Sequence, residues 1–211
     1  STKVSVRDLP LAIGQKLDVG VTTVSASLAI AHTAGEKVFC TGGIGGVHRG
    51  SSITGDISAD LHALAQFNVL CVSAGAKVFL DLSGTLEFLE TLGVPVLGWQ
   101  TDKFPAFYLR DSNIQIPKVD TEEEVTSIME SIRKLGFRHG VLLNVPIPIE
   151  AELDSEQIWS LIENCLEECA DQGISGQGVT PFILDRLAKA TSGESIPANL
   201  ALLENNAHVA S

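Results

Sequence analysis

The stretch Lys37-Val-Phe-Cys-Thr-Gly-Gly-Ile-Gly-Gly-Val-His-Arg-Gly50 sets a short apolar run directly against a glycine-rich loop. Lys37 to Cys40 is too short for a helix and is bounded by turn residues, so it reads as a buried strand. Upstream, Val21 to Gly35 is rich in Ala, Thr and Val at helical spacing and ends at a glycine stop. Downstream the same order returns. Ile57 to Gln66 has a helical apolar pattern, Val69 to Ser73 is strand-like, and Ala74-Gly-Ala-Lys77 is a loop. Thr85 to Leu92 reads as a helix stopped by Gly93, Val94 to Trp99 as a third strand, and Gln100-Thr-Asp102 as its trailing loop.

The second half is punctuated in the same way. Phe104 to Pro117 is irregular. Thr121, with Glu124 three residues on, forms a capping box for a helix to about Leu135 whose acidic start and basic end suit the helix dipole. Gly140 to Val145 is a fourth strand, halted by the rigid Pro146-Ile-Pro148. Asp154 caps a helix to about Asp171, Thr180-Pro181 opens another with proline in the first position, and Ile196 to Ala210 is a last helix. Strands separated by helices predict a mostly parallel central sheet covered on both faces: an α/β/α layered domain, single over residues 1–211.

Composition bounds the function. With 14 Lys and Arg against 26 Asp and Glu, the net charge of -12 repels a nucleic-acid polymer and an anionic membrane surface. Neither is expected as a partner, and an anionic ligand needs a local cluster of donors. The absence of a long uncharged apolar run argues against a membrane span, and the opening residues resemble neither signal nor transit peptide. Cys40, Cys71, Cys165 and Cys169 include no CxxC pair, which fits a cytoplasmic or organelle-matrix setting. Cys165 and Cys169 are four apart on one helix face; packing is the preferred reading over a metal site.

Ligands of parallel α/β sheets bind beyond the carboxyl ends of the strands. Four chemically unusual segments follow strands: Thr41 to Gly50, Ser73 to Lys77, Gln100 to Asp102 and Asn144 to Pro148. All four are expected at one cleft. The glycine loop could offer unobstructed N–H groups to a phosphate or carboxylate, or be a plain turn. It lacks the strand–loop–helix context of a dinucleotide fingerprint, which disfavours a nicotinamide oxidoreductase. Asp56, Ser58 and Asp60 fall at the start of a helix, where a carboxylate either caps the helix or faces a hydrated divalent cation. Lys77 lies between apolar runs. Burial there favours a neutral amine suited to Schiff-base chemistry, the plainer alternative being a snorkelling lysine.

Taken together, Thr41 to Gly50, Asp56-Ile-Ser-Ala-Asp-Leu61, Ser73 to Lys77, Thr85 to Pro95 and Phe104-Pro-Ala-Phe107 resemble the pseudouridine-5'-phosphate glycosidases. The Lys3 to Pro10 opening, Thr22-Thr-Val24 and Asn205-Asn-Ala207 fit as well. The resemblance implies reversible cleavage of the C–C glycosidic bond of pseudouridine 5'-phosphate to uracil and ribose 5-phosphate. Lys77 is implied as the nucleophile, and Asp56 as the carboxylate that holds Mn²⁺. Lys3, Val24, Ser58, Ala59 and Asp60 are implied as substrate contacts, with His48 and Asn206 as further ones. A homotrimer is implied too. Members carry a segment before the Lys3 motif that includes a glutamate proton donor, so this chain is expected to be N-terminally incomplete. It also has Asn144-Val-Pro146 where Asn-Pro is the pattern. A homologue that binds sugar phosphate without turnover is the alternative.

Overall fold

The computed structural model describes residues 2–174, 178–191 and 193–211. In chain order they form β1 (Thr2–Val4), α1 (Leu9–Gly14), β2 (Gly20–Thr22), α2 (Val24–Ala34), β3 (Val38–Cys40), α3 (Ser51–Thr54), α4 (Ala59–Gln66), β4 (Leu70–Ser73), α5 (Leu82–Thr91), β5 (Val96–Trp99), β6 (Lys118–Val119), α6 (Glu122–Lys134), β7 (Val141–Asn144), α7 (Ser155–Asp171), α8 (Val179–Ala190) and α9 (Ser195–Ala210). Short 3-10 turns at Val6–Asp8 and Ile149–Ala151 complete the path.

The central sheet has the order β3-β4-β7-β5-β6, and every pairing is parallel. Parallel strands are covered on both faces, and the alternation within each strand shows how. Cys71 and Leu142 point into a large core shared with α2, α4, α7, α8 and α9. Leu70, Val72, Val141 and Leu143 point the other way, against Val125, Met129 and Ile132 of α6 and the end of α9. The expected mostly parallel α/β architecture is therefore the observed one. Cys165 and Cys169 are buried in the first core as small apolar groups.

Several boundaries correct the sequence reading. Val21 and Thr22 are not helical: they pair as a parallel strand with Lys3 and Val4, and α2 begins only after the extended Thr23. Two β-branched residues at a helix edge favour the strand when a partner is at hand. The helix expected from Thr85 begins at Leu82, because the Asp81 carboxylate accepts the Gly84 N–H at 2.8 Å and caps a turn that Ser83-Gly84 disguises. Thr180-Pro181 does not open α8 at its first position; Val179 does, and Pro181 stands third, where a missing N–H still costs no helical bond. The strand β6 follows Pro117 and was hidden by it.

At Thr121 the expected capping box is present in full, with the hydroxyl accepting the Glu124 N–H at 3.3 Å and Glu124 accepting from the Thr121 N–H at 3.2 Å. Replacing Thr121 with Ala should cost about 1 kcal/mol of stability in urea titration. Ligand binding at the cleft described below should be unchanged, because α6 packs on the other side of the sheet.

Candidate active site

A cleft of about 640 Å³ opens beyond the C-terminal ends of β3 and β4. Its floor is the glycine loop and the Ser73 to Lys77 loop, stitched together by backbone bonds that prolong the β3–β4 ladder. The Ala74 N–H donates to Gly42, Ile44 to Gly75, and Lys77 to Ile44. Its walls are the first turns of α2 and α4, together with β1 and β2, which bring in Lys3.

Asp60 joins these parts. It sits in the first turn of α4 behind the N-cap Ser58, whose Oγ accepts the Asp60 N–H at 3.2 Å. Its carboxylate is buried, with one oxygen accepting the Ser25 N–H at 2.8 Å and the other the Gly45 N–H at 2.9 Å. A Cβ at Gly45 would stand 2.3 Å from the Ser58 Oγ and 3.0 Å from the Asp60 Oδ2, so only glycine lets the loop approach. Gly43 gives the same clearance to Phe107, whose ring would lie 2.4 Å from an added Cβ. Phe107 is buried and holds φ +62, a left-handed conformation uncommon for a bulky residue, while its N–H donates to Ala74.

The glycine loop keeps part of the N–H cradle that its sequence suggested: among the described residues the Gly42, Gly43 and Gly46 N–H groups have no hydrogen-bond acceptor, and Gly43 lines the cleft. The Thr41, Ile44, Gly45, Val47 and His48 N–H groups all have protein acceptors. The N-termini of α2 and α4 also line the cleft, where a helix start favours negative charge, and the Asp60 carboxylate already takes the Ser25 N–H there. Around α2 a hydroxyl cluster adds donors: Thr23 and Ser25 lie 2.8 Å apart, and the Ser27 hydroxyl donates to Thr22 at 3.0 Å. Sequence reading valued Thr22 to Val24 only through the resemblance, because hydroxyls at a helix start look like ordinary capping groups.

Lys77 is largely buried on the cleft floor. Burial holds its pKa below the ordinary lysine range; the Asp60 charge opposes that and Lys3 reinforces it. Burial also lowers the pKa of His48, with Asp56 opposing and Lys77 and Lys3 reinforcing. The imidazole lies 3.8 Å from the Asp56 carboxylate. Lys3, Val24, His48, Asp56, Ser58, Ala59, Asp60 and Lys77 therefore all line one cleft. Asp56 does not belong to α4, as the sequence suggested, but to the loop before its N-cap.

Other expected participants lie elsewhere. The Gln100 to Asp102 and Asn144 to Pro148 segments do not line the cleft. In the sheet order β5 is separated from β4 by β7, which carries the first loop away. After β7 the chain turns inward, burying Ile147, and the fully buried Asn144 donates its amide to Leu97. Asn206 is also fully buried and off the cleft wall, donating to Thr41 at 2.9 Å and to Gly42 at 3.4 Å, so it holds the glycine loop from behind.

The sequence matches the family described as indigoidine synthase A like protein over residues 1–211. The chain belongs to that family. Its relatives include the pseudouridine-5'-phosphate glycosidase of Geobacillus kaustophilus, 50% identical over 99% of this chain and 69% of its own length. That of Petrotoga mobilis is 48% identical over 98% of this chain and 68% of its own. Among solved structures, the prealnumycin C-glycosynthase AlnA in complex with ribulose 5-phosphate superposes with a TM-score of 0.94 at 37% identity, covering 99% of this chain and 69% of that one. An indigoidine synthase A-like protein of Thermotoga maritima gives 0.89 at 36% identity, over 98% and 68% of the two chains. The chain spans about two thirds of the length of these proteins.

In this family member a divalent cation would have one free carboxylate to bind. Neither Asp56 side-chain oxygen takes part in a hydrogen bond among the described residues, and the group is partly exposed on the cleft wall. The described residues include no cluster of three metal-ligating side chains, so water and substrate oxygens would complete the coordination, which suits a hard, hydrated ion.

Replacing Asp60 with Asn should lower the Lys77 pKa further, since it removes the one charge that favours the ammonium form. It also turns an amide NH₂ toward a backbone donor, at a cost of about 1–3 kcal/mol. NMR titration of the reductively ¹³C-methylated lysines checks the first effect and urea unfolding the second; an unchanged Lys77 titration would show that Asp60 is not electrostatically coupled to it.

Proposed function

We propose that the cleft carries the chemistry of a pseudouridine-5'-phosphate glycosidase, splitting the C–C glycosidic bond reversibly to uracil and ribose 5-phosphate. The carrying observation is the amine of Lys77: largely withdrawn from solvent, lowered in pKa, and set on the floor of a cleft walled by two helix N-termini. The names of the curated relatives and the sugar phosphate bound by the C-glycosynthase support the same substrate class.

A carbon-linked base is a poor leaving group, so the bond needs an electron sink at C1 of the sugar. The neutral Lys77 amine attacks C1; the C–N bond forms, the bond to the ring oxygen breaks, and that oxygen takes a proton. The uracil carbon is then protonated. The C–C bond breaks with its electron pair returning to the uracil ring, while the Lys77 nitrogen lone pair forms an iminium with C1. Water hydrolyses the iminium, releasing ribose 5-phosphate and the free amine. The resemblance assigns the proton on uracil to a glutamate that precedes the Lys3 motif.

Lys3 and the first turns of α2 and α4 hold the phosphate. Ser58 and Asp60 orient the sugar from the α4 side, Val24 packs beside it, and His48 faces it from the glycine loop. Held by Asp56, a divalent cation such as Mn²⁺ would supply positive charge beside the phosphate or sugar oxygens. Three such chains would form the trimer that the resemblance implies. A soluble compartment with reduced thiols, cytoplasm or organelle matrix, suits the four free cysteines.

Incubation with pseudouridine 5'-phosphate and Mn²⁺ should release uracil, and borohydride should trap a sugar-phosphate adduct on Lys77, read by peptide mass. Lys77→Ala should abolish the adduct and reduce turnover by at least about 10³-fold. An adduct on another lysine, or uracil release undiminished in Lys77→Ala, would overturn the assignment. The second reading is sugar-phosphate binding without turnover. It predicts a trapped ribose 5-phosphate adduct with no uracil release.

A further inference from the structure

At the opposite pole of the sheet, where β3, β4 and β7 begin, lies a second cavity of about 530 Å³. Lys37, Arg133 and Arg138 line it together with the rings of Phe67 and Phe137 and the amide of Gln66, and among the described residues no carboxylate does. In a chain of net charge -12, three cations on one cavity run against the overall charge balance.

Basic residues often gather at helix C-termini to satisfy carbonyls, and α2, α4 and α6 all end here. That role is already filled by backbone. Gly35 and Glu36 N–H groups close α2 onto His32 and Ala31, Gly136 and Phe137 close α6 onto Arg133 and Ile132, and Phe67 closes α4 onto Ala63. Arg133 gives one Nε–H to the Met129 carbonyl at 3.3 Å. The side chains of Lys37 and Arg138 make no hydrogen bond or ion pair among the described residues.

The two rings are braced rather than loose. His32 supports Phe67 at a centroid distance of 5.5 Å, and His139 supports Phe137 at 5.5 Å. Phe137 is 53% exposed, so an apolar face stands open beside the cations. A flat ring could lie on it, an amide could read the ring's edge, and guanidinium and ammonium groups could hold an attached anion. The volume is in the range of small-ligand sites.

We propose that this pole is a second, non-catalytic site for a nucleoside monophosphate. It is independent of the glycosidase reading. The two sites share elements: α2 and α4 each begin at the catalytic cleft and end at this cavity, so a ligand here would bear on the helices that carry Ser25, Ser58 and Asp60.

Calorimetric titration of the whole chain with adenosine 5'-monophosphate tests the site, with adenosine and inorganic phosphate as separate arms. The nucleotide should bind saturably with Kd below about 1 mM, more weakly as salt rises, and better than either fragment. The double variant Arg133→Ala/Arg138→Ala and the single variant Phe137→Ala should each weaken binding by about tenfold or more, while Lys3→Ala should leave it unchanged. These positions are exposed, so folding should survive, as circular dichroism would verify. The proposal is overturned by the absence of saturable binding, by equal binding of either fragment, or by binding that Lys3→Ala removes and the double variant keeps. Failure of pseudouridine 5'-phosphate turnover would not alter any of these readings.

Discussion

The buried carboxylate of Asp60 is the interaction on which the cleft depends. Residues 2–22 contribute little to the core, with Val4 the buried side chain of β1, β2 exposed along its length and α1 burying none of its residues. This thinly packed wall nevertheless carries Lys3. It is tied to α2 through the Val6 N–H on Ser25 Oγ and the Thr23 N–H on Val4, and α2 is tied to the glycine loop and α4 through Asp60. A buried carboxylate is costly unless it is hydrogen-bonded. Here two backbone amides and the start of a helix meet that requirement, so one side chain fixes three elements around Lys77.

The glycines and Phe107 give the same constraint from below. Side chains at 43 or 45 would strike Phe107 or Ser58, so the loop is shaped by what presses on it rather than by freedom to move. A left-handed conformation at a bulky residue stores about 1–3 kcal/mol and persists only where packing determines it. Phe107 is so determined, by Gly43, by Tyr108 in edge contact at 4.7 Å and by its bond to Ala74. This strained residue packs directly behind the loop that leads to Lys77, its N–H held by Ala74.

Local signals made the repeating strand and helix order, the parallel sheet, the Thr121 and Asp154 caps and the convergence of Asp56, Asp60 and Lys77 legible in the sequence. Periodicity and capping chemistry depend on neighbours a few residues away, and most of these were read correctly, the Asp81 cap of α5 and the first position of α8 being missed. The remaining features that were not legible depend on distant partners. Val21 became a strand because Lys3 lies beside it, and Asn206 turned from the cleft because the carbonyls of Thr41 and Gly42 are within its reach. The order of β7 between β4 and β5, which removes two of four expected loops from the site, leaves no mark in any single segment.

The charge of the cleft explains how an acidic chain could take an anionic substrate. Lys3, Arg7 and Lys77 face Asp8, Asp56 and Asp60, so formal charges on the lining balance while Lys77 is protonated and leave one negative charge in excess once its amine is neutral; burial disfavours the charged form of His48. The acids are not equivalent. Asp60 is occupied by two amides, and Asp8 by Ser5 and Arg7, which leaves Asp56 as the carboxylate with open oxygens. A phosphate brings about -1.5 to -2 into this balance, and under the proposed reading a divalent cation at Asp56 would offset that charge. A cation held there would disfavour the protonated forms of His48 and Lys77, whereas a bound phosphate would favour them, so metal and phosphate would offset each other's effect on the amine.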